Sequence, residues 1–153
     1  MKLRLVSFGR ERPGEVTAPL VEEYRARIAR TVELDLIELR AETGPQARER
    51  EAEALFALLA KVKGPSELWA LDERGGQLTS PQFAERIGRA RDRATSLTLC
   101  IGGDEGLSQL VRDRAQLVLG LSKLTLPHKL ARAVVLEQLY RAFEILRGSP
   151  YHK

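Results

Sequence analysis

The chain has 153 residues, 43% hydrophobic and 30% charged, without low-complexity tracts or internal repeats, and is expected to fold as one domain over residues 1–153. Lys plus Arg outnumber Asp plus Glu by 25 to 21, and this +4 balance leans mildly toward a polyanionic partner; arginines interleaved with acids, as from Arg86 to Arg93, read as solvated helix faces. No apolar run approaches the roughly 20 residues that cross a bilayer. One cysteine (Cys100) excludes an internal disulfide and fits a reducing cytoplasm, and with only His128 and His152 besides, no metal-ligand spacing exists.

Met1 to Leu5 alternates polar and apolar residues, which predicts a strand through Phe8, closed by Gly9, and not the unbroken apolar core of a signal peptide. After the loop residues Arg10-Glu11-Arg12-Pro13-Gly14, the spacing of Leu20, Val21, Tyr24 and Ile28 predicts a helix from Thr17 to about Arg30. Val32–Leu39 reads as a second strand. Gly44-Pro45 breaks it and opens a helix to about Lys63, with Leu55, Leu58, Leu59 and Val62 on its apolar side. Glu67–Leu71 is a short strand ending at Asp72, and Asp72-Glu73-Arg74-Gly75-Gly76 is a turn.

Ser80-Pro81 supplies an N-cap hydroxyl followed by proline at the first helical position, starting a helix that ends near Arg93. Leu97–Ile101 is a strand running into Gly102-Gly103-Asp104-Glu105-Gly106, and a short helix from about Ser108 to Ala115 follows. Alternation from Leu117 gives way to a loop over Leu121–Leu126. Pro127 then opens a helix from His128 to Leu146. Strands alternating with helices predict an α/β fold with a mostly parallel sheet and helices on both faces. In such sheets ligands bind outside the carboxyl ends of the strands, which singles out the loops after Leu71, after Ile101 and around Leu121–Leu126.

The Gly102–Gly106 turn lacks both the dinucleotide and the P-loop spacing, and its two carboxylates would repel a pyrophosphate. What remains is either a glycine turn that lets a ligand approach the backbone or a tight connection. The backbone groups of Leu121–Leu126 either grip a planar polar ligand or pair with neighbouring strands. The helix from His128 is apolar nearly all round, with Glu137, Arg141 and Glu144 as its polar strip. One apolar side suits the sheet and the other calls for a second chain, so a homodimer is expected. His128 reads as a capping or interface residue. Tyr151-His152-Lys153 joins an aromatic, an imidazole and a cation, suited to RNA contact or simply a frayed end. Cys100, inside an apolar strand with no adjacent histidine, reads as a buried, inert thiol.

Ile101-Gly102-Gly103-Asp104-Glu105-Gly106-Leu107-Ser108, Leu121-Ser122-Lys123-Leu124-Thr125-Leu126-Pro127-His128, Glu137-Gln138-Leu139-Tyr140-Arg141-Ala142 and Pro150-Tyr151-His152, in this order, resemble the ribosomal RNA large subunit methyltransferase H family of the SPOUT superfamily. The opening Met1–Leu5 and the Leu71-Asp72 strand end agree, so the resemblance spans the chain. It implies a single SPOUT domain with a C-terminal trefoil knot, an exception to unknotted topology. It further implies a cytoplasmic homodimer that acts on large-subunit ribosomal RNA within the ribosome, methylating N3 of a pseudouridine. The implied cofactor is S-adenosyl-L-methionine, held by Leu71, Gly102, Gly103 and Leu121, Ser122, Lys123, Leu124, Thr125 and Leu126. His152, Arg132 and Arg141 are the implied candidates for proton removal or anion stabilisation, with Tyr151 stacking on or orienting the base. A non-catalytic ribosome-assembly factor of the same fold is the alternative; the failed phosphate fingerprints argue against a flavodoxin-like nucleotide enzyme.

Overall fold

The computed structural model describes residues 1–153. Five parallel strands, β1 (Lys2–Phe8), β2 (Glu33–Leu39), β3 (Ser66–Gln77), β4 (Ser96–Ile101) and β5 (Leu117–Gly120), form a sheet in the order β2-β1-β4-β3-β5. Helices α1 (Ala18–Ile28), α2 (Ala47–Leu59), α3 (Ser80–Asp92), α4 (Gln109–Arg114) and α5 (His128–Leu146) connect and follow the strands. The period-two pattern of the strands builds two cores. Leu3, Leu5, Trp69, Leu71, Leu97, Leu99 and Ile101 face α1, α3 and α5, whereas Val6, Phe8, Leu68, Ala70 and Cys100 face α2 and α4. The expected α/β architecture with helices on both faces is therefore observed, and Cys100 is a fully buried free thiol whose pKa burial pushes up.

Several local expectations are revised. Residues 72–76 are not a simple turn after a short strand. Leu71 and Gly76 both pair with Leu119, so β3 runs on to Gln77 around an irregularity between those two residues. The N-cap of α3 is Thr79, whose hydroxyl accepts from the Gln82 N–H while the Gln82 side chain accepts from the Thr79 N–H; Ser80 instead donates to Gln138. α2 ends at Leu59, short of Lys63, whereas α5 spans His128–Leu146 as expected, with Pro127 at its N-cap. Glu144 does not belong to a solvated strip. It is 2% exposed and held by Arg147 at the end of its own helix. Nor does α5 leave a whole apolar side open, because α1 and α3 flank it and bury Val135, Leu136, Leu139, Ala142 and Phe143 within the same chain.

The irregularity in β3 brings two backbones unusually close. A Cβ on Gly75 would lie 2.6 Å from the Leu119 nitrogen and the Val118 carbonyl, while one on Gly76 would meet nothing within 4 Å. Gly75→Ala should therefore cost about 1–3 kcal/mol through forced backbone displacement, and Gly76→Ala should be nearly neutral. Urea denaturation midpoints of the two variants check this contrast.

Candidate functional site

A cavity of about 630 Å³ opens outside the carboxyl ends of β3, β4 and β5. Leu71, Gly102, Gly103, Leu121, Ser122, Leu124, Thr125 and Leu126 all line it; of the residues implicated by resemblance in cofactor binding, Lys123 alone does not. Gly102 is required by packing, since a Cβ there would lie 2.5 Å from the Gly106 carbonyl carbon. Between Leu121 and Leu126 no backbone N–H or carbonyl pairs with another backbone group, and only the Leu124 N–H is engaged, by Ser122 Oγ at 2.9 Å. The loop thus does not pair with neighbouring strands. It presents free donors and acceptors to a cleft whose apolar wall includes Leu71, Ile101, Leu107 and Ala131. Such a cleft suits a ligand with a flat polar edge and an aliphatic part.

Charged residues that sequence reasoning missed brace this cleft. Arg112 of α4 donates to Asp72 Oδ2 (3.0 Å), the Leu107 carbonyl (2.6 Å) and Gln109 (2.8 Å), locking the irregularity of β3 to the turn after β4. His128 Nδ1 stands 3.2 Å from Asp104, and Thr125 donates to Glu73. Asp72 at a strand's carboxyl end was the available sequence signal, but its partner lies 40 residues away. Behind Gly103 sits Glu51, 6% exposed, whose Oε1 accepts from the Glu42 N–H at 3.1 Å. Burial raises its pKa, the Glu42 N–H opposes this, and the carboxylates of Glu42, Asp104 and Glu105 add to the rise.

The four residues proposed for chemistry are divided by the structure. Tyr151, Arg141 and His152 meet: Tyr151 Oη and Arg141 both donate to Glu137 Oε1 (3.0 and 2.6 Å), Arg141 Nη1 lies 3.3 Å from His152 Nδ1, and the guanidinium carbon sits 4.8 Å from the Tyr151 ring centre. The tail is not frayed. Gly148 takes φ +72° to end α5, and the Ser149 N–H bonds back to the Glu144 carbonyl at 2.9 Å, turning the chain so that Tyr151 packs edge-on against Tyr140, which neighbours Tyr24. Burial, then hydrogen bonding with Tyr24 and Glu137, pushes the Tyr151 phenol up, so it stays protonated as a donor. Arg132 is elsewhere. It is 5% exposed and donates to Glu38 at 2.8 Å and Glu11 at 3.4 Å, holding the β1–α1 loop on α5. Neither Arg132 nor the tail lines the cleft. The thirteen steps along α5 from His128 to Arg141 rise about 20 Å, which separates the two clusters within one chain.

A family model described as "Predicted SPOUT methyltransferase" matches residues 1–152, the span that holds the parallel sheet, the glycine turn and the polar loop before α5. A protein of Anaeromyxobacter sp. (strain Fw109-5) named Ribosomal RNA large subunit methyltransferase H is 51% identical, with all of both chains covered. Its namesake in Geobacter sulfurreducens is 43% identical over 99% of each chain. The chain belongs to the ribosomal RNA large subunit methyltransferase H family of SPOUT methyltransferases. Among solved structures, a probable methylase family protein from Haemophilus influenzae superposes with a TM-score of 0.56 at 14% identity, covering 99% of this chain and 70% of that one, which supports the fold.

Glu51 yields a signed prediction. A carboxyl with a raised folded pKa contributes stability fully below its ordinary value of 4.5 and loses it as the pH rises through the folded value. Glu51→Gln should therefore raise the urea midpoint relative to the parent near pH 8, and the two midpoints should converge near about pH 4.

Proposed function

We propose that the protein is a cytoplasmic, homodimeric enzyme that uses S-adenosyl-L-methionine to methylate N3 of a pseudouridine in large-subunit ribosomal RNA. The observation carrying this reading is the cleft itself, where the Leu121–Leu126 backbone groups, the Leu124 N–H apart, are free to meet the polar edge of that cofactor. Free amides and carbonyls of the loop suit the adenine edge, and Leu71 with the Gly102–Gly103 backbone lines space for the methionine part. The cofactor supplies an electrophilic methyl group on a sulfonium. The C-terminal trefoil knot implied by the family accords with the tight packing of Gly75 on β5 and with the way Gly120 leads directly into the loop. No helix is long and apolar enough to cross a membrane, and no group of three or more His, Cys, Asp or Glu side chains is arranged to hold a metal ion.

In this reading the dimer completes the site. Because Tyr151, Arg141 and His152 stand about 20 Å along α5 from the cleft of their own chain, the tail of one protomer serves the cleft of its partner. Exposed Leu20, Leu124 and Leu130, 48%, 76% and 41% accessible, provide apolar surface for that contact. A guanidinium only donates, so His152 Nδ1 accepts from Arg141 and Nε2 carries the hydrogen. That N–H and the Arg141 guanidinium are then directed at the anion that forms as the imide proton leaves, while Tyr151 orients the base. Arg132 acts at a distance, positioning the β1–α1 loop. Methyl transfer is an in-line displacement, so alignment is the main demand on these groups.

Tritium transfer from labelled S-adenosyl-L-methionine to ribosomes lacking the modification tests the activity; a folded, cofactor-binding dimer that transfers nothing refutes it. His152→Ala should retain S-adenosylhomocysteine affinity by calorimetry while turnover falls about 10²–10⁴-fold. Parallel loss of both would make the tail structural. For the shared site, co-expressed His152→Ala and Gly103→Leu chains should regain activity as mixed dimers although each homodimer is inactive. Persistent inactivity would place both halves of the site in one chain.

A further inference from the structure

A second cavity, about 880 Å³, lies beside the first at the carboxyl ends of β1 and β2 and shares Gly103, Asp104, Glu105 and His128 with it. β1 leads to its neighbour β2 on one side, whereas β4 leads to β5 on the other, so the strand order reverses between β1 and β4. Open α/β sheets hold ligands at this crevice. The methyl-donor cleft occupies the adjoining ends of β3, β4 and β5, which leaves the reversal point itself without an assigned occupant.

The charges around the second cavity are asymmetrically paired. Among its acids, Glu11 binds Arg132, Glu15 binds Lys129, Glu42 lies 3.3 Å from Arg50, and Asp104 lies 3.2 Å from His128. Glu51 is buried and biased toward its neutral form by that burial. Asp104, whose His128 contact is an ion pair only with a protonated imidazole, and Glu105 therefore remain as two carboxylates without a fixed cation, fewer than the unpaired guanidiniums of the wall. Three arginines of the wall, Arg10 and Arg12 on the β1–α1 loop and Arg48 on α2, have guanidiniums in no ion pair or hydrogen bond. The loop that carries two of them is fixed: Thr17 donates to Glu11 at 2.5 Å, the Glu11 N–H donates to Glu38 at 3.1 Å, and Lys129 and Arg132 tether it to α5 through Glu15 and Glu11. Unpaired guanidiniums on an anchored backbone around a cavity are suited to bidentate binding of phosphate oxygens.

We propose that this second cavity is a phosphate-binding subsite that takes the single-stranded RNA backbone flanking the target nucleotide, through Arg10, Arg12 and Arg48. The proposal rests on the RNA methyltransferase reading for the identity of the polyanion. The wall shared with the donor cleft puts a nucleotide held here next to the one presented to the methyl group. The volume falls in the roughly 300–1,000 Å³ range of clefts that enclose a small ligand, sufficient for a nucleotide unit.

The test compares the parent with Arg10→Ala/Arg12→Ala/Arg48→Ala by fluorescence anisotropy, using a labelled uridine oligoribonucleotide of about 12 nucleotides over a potassium chloride series. Apparent affinity should fall at least about 10-fold in the triple variant, and the slope of log affinity against log salt should shrink by about 2, from about 0.7 per phosphate over three contacts. The corresponding Arg→Lys triple should keep most of the slope. Lys61→Ala/Lys63→Ala, which removes two cations at the opposite end of the sheet, should keep all of it. Melting curves and S-adenosylhomocysteine titration verify that the variants are folded. A triple variant with parental affinity and slope overturns the subsite, as does equal loss in the Lys61/Lys63 variant or failure of the parent to bind the oligonucleotide. The function reading fails separately: salt-sensitive binding lost in the triple variant, without methyl transfer by the parent, refutes the activity and retains the subsite. Methyl transfer to ribosomes with an unchanged KM in the triple variant refutes the subsite alone.

Discussion

The close approach of β3 to β5 is the constraint on which the rest of the molecule depends. Gly75 rests directly on the Val118–Leu119 peptide, and Gly120 faces the Gly75 carbonyl, with an added Cβ only 2.9 Å from that oxygen. Neither contact survives a side chain, and neither is replaceable by an ordinary ladder bond, because β3 departs from β5 after Leu71 and rejoins it at Gly76. This packing fixes β5 at the sheet edge, so that the loop following Gly120 must begin over the ends of β3 and β4. Leu71, the Gly102 turn and the Leu121–Leu126 segment thereby become walls of one cleft although 50 residues separate the first from the last of them.

From that cleft α5 runs away as a rigid spacer. Its amino end closes the cleft with His128, its middle is buried between α1, α3 and the sheet, and its carboxyl half carries Glu137, Arg141 and the docked tail. A helix so buried cannot bend its far end back to its own beginning. The length of α5, not a flexible tail, is the ground on which a second protomer is proposed. The apolar side of α5 that would otherwise need a second chain is largely covered by α1 and α3.

Much of this was legible in the sequence where local rules govern. Period-two runs gave β1, β2 and β4, and the break at Pro127 gave the start of α5 within one residue. The strand-end rule gave the three loops that form the cleft. Illegible were the features that arise from contacts distant in the chain. Residues 72–76 read as a turn because two glycines punctuate; their continuation as strand depends on β5, more than 40 residues on. Arg132 looks like a companion of His128 one turn along a helical face, yet Glu38 and Glu11, 94 and 121 residues away, take it for the loop. Glu51 carried no signal, since its burial follows from the position of Gly103.

Charge pairing also decides what the composition left open. Most arginines of the α3 run are neutralised nearby, Arg89 by Glu85, Arg91 by Asp92 and Arg93 by Glu67, as a solvated helix face requires. Exposed pairs of this kind contribute only about 0.2–1 kcal/mol each, and they cancel the field that an arginine count would suggest. The field that remains is set by arginines whose acidic neighbours are already occupied. Around the β1–β2 cavity Lys129 and Arg132, which sit on α5, engage Glu15 and Glu11, and so leave Arg10 and Arg12 free on the same loop. Three guanidiniums stay unpaired around that cavity because cations from one element occupy carboxylates of another. Net charge of +4 describes the whole chain and locates no surface, whereas the pairing shows where unpaired guanidiniums lie.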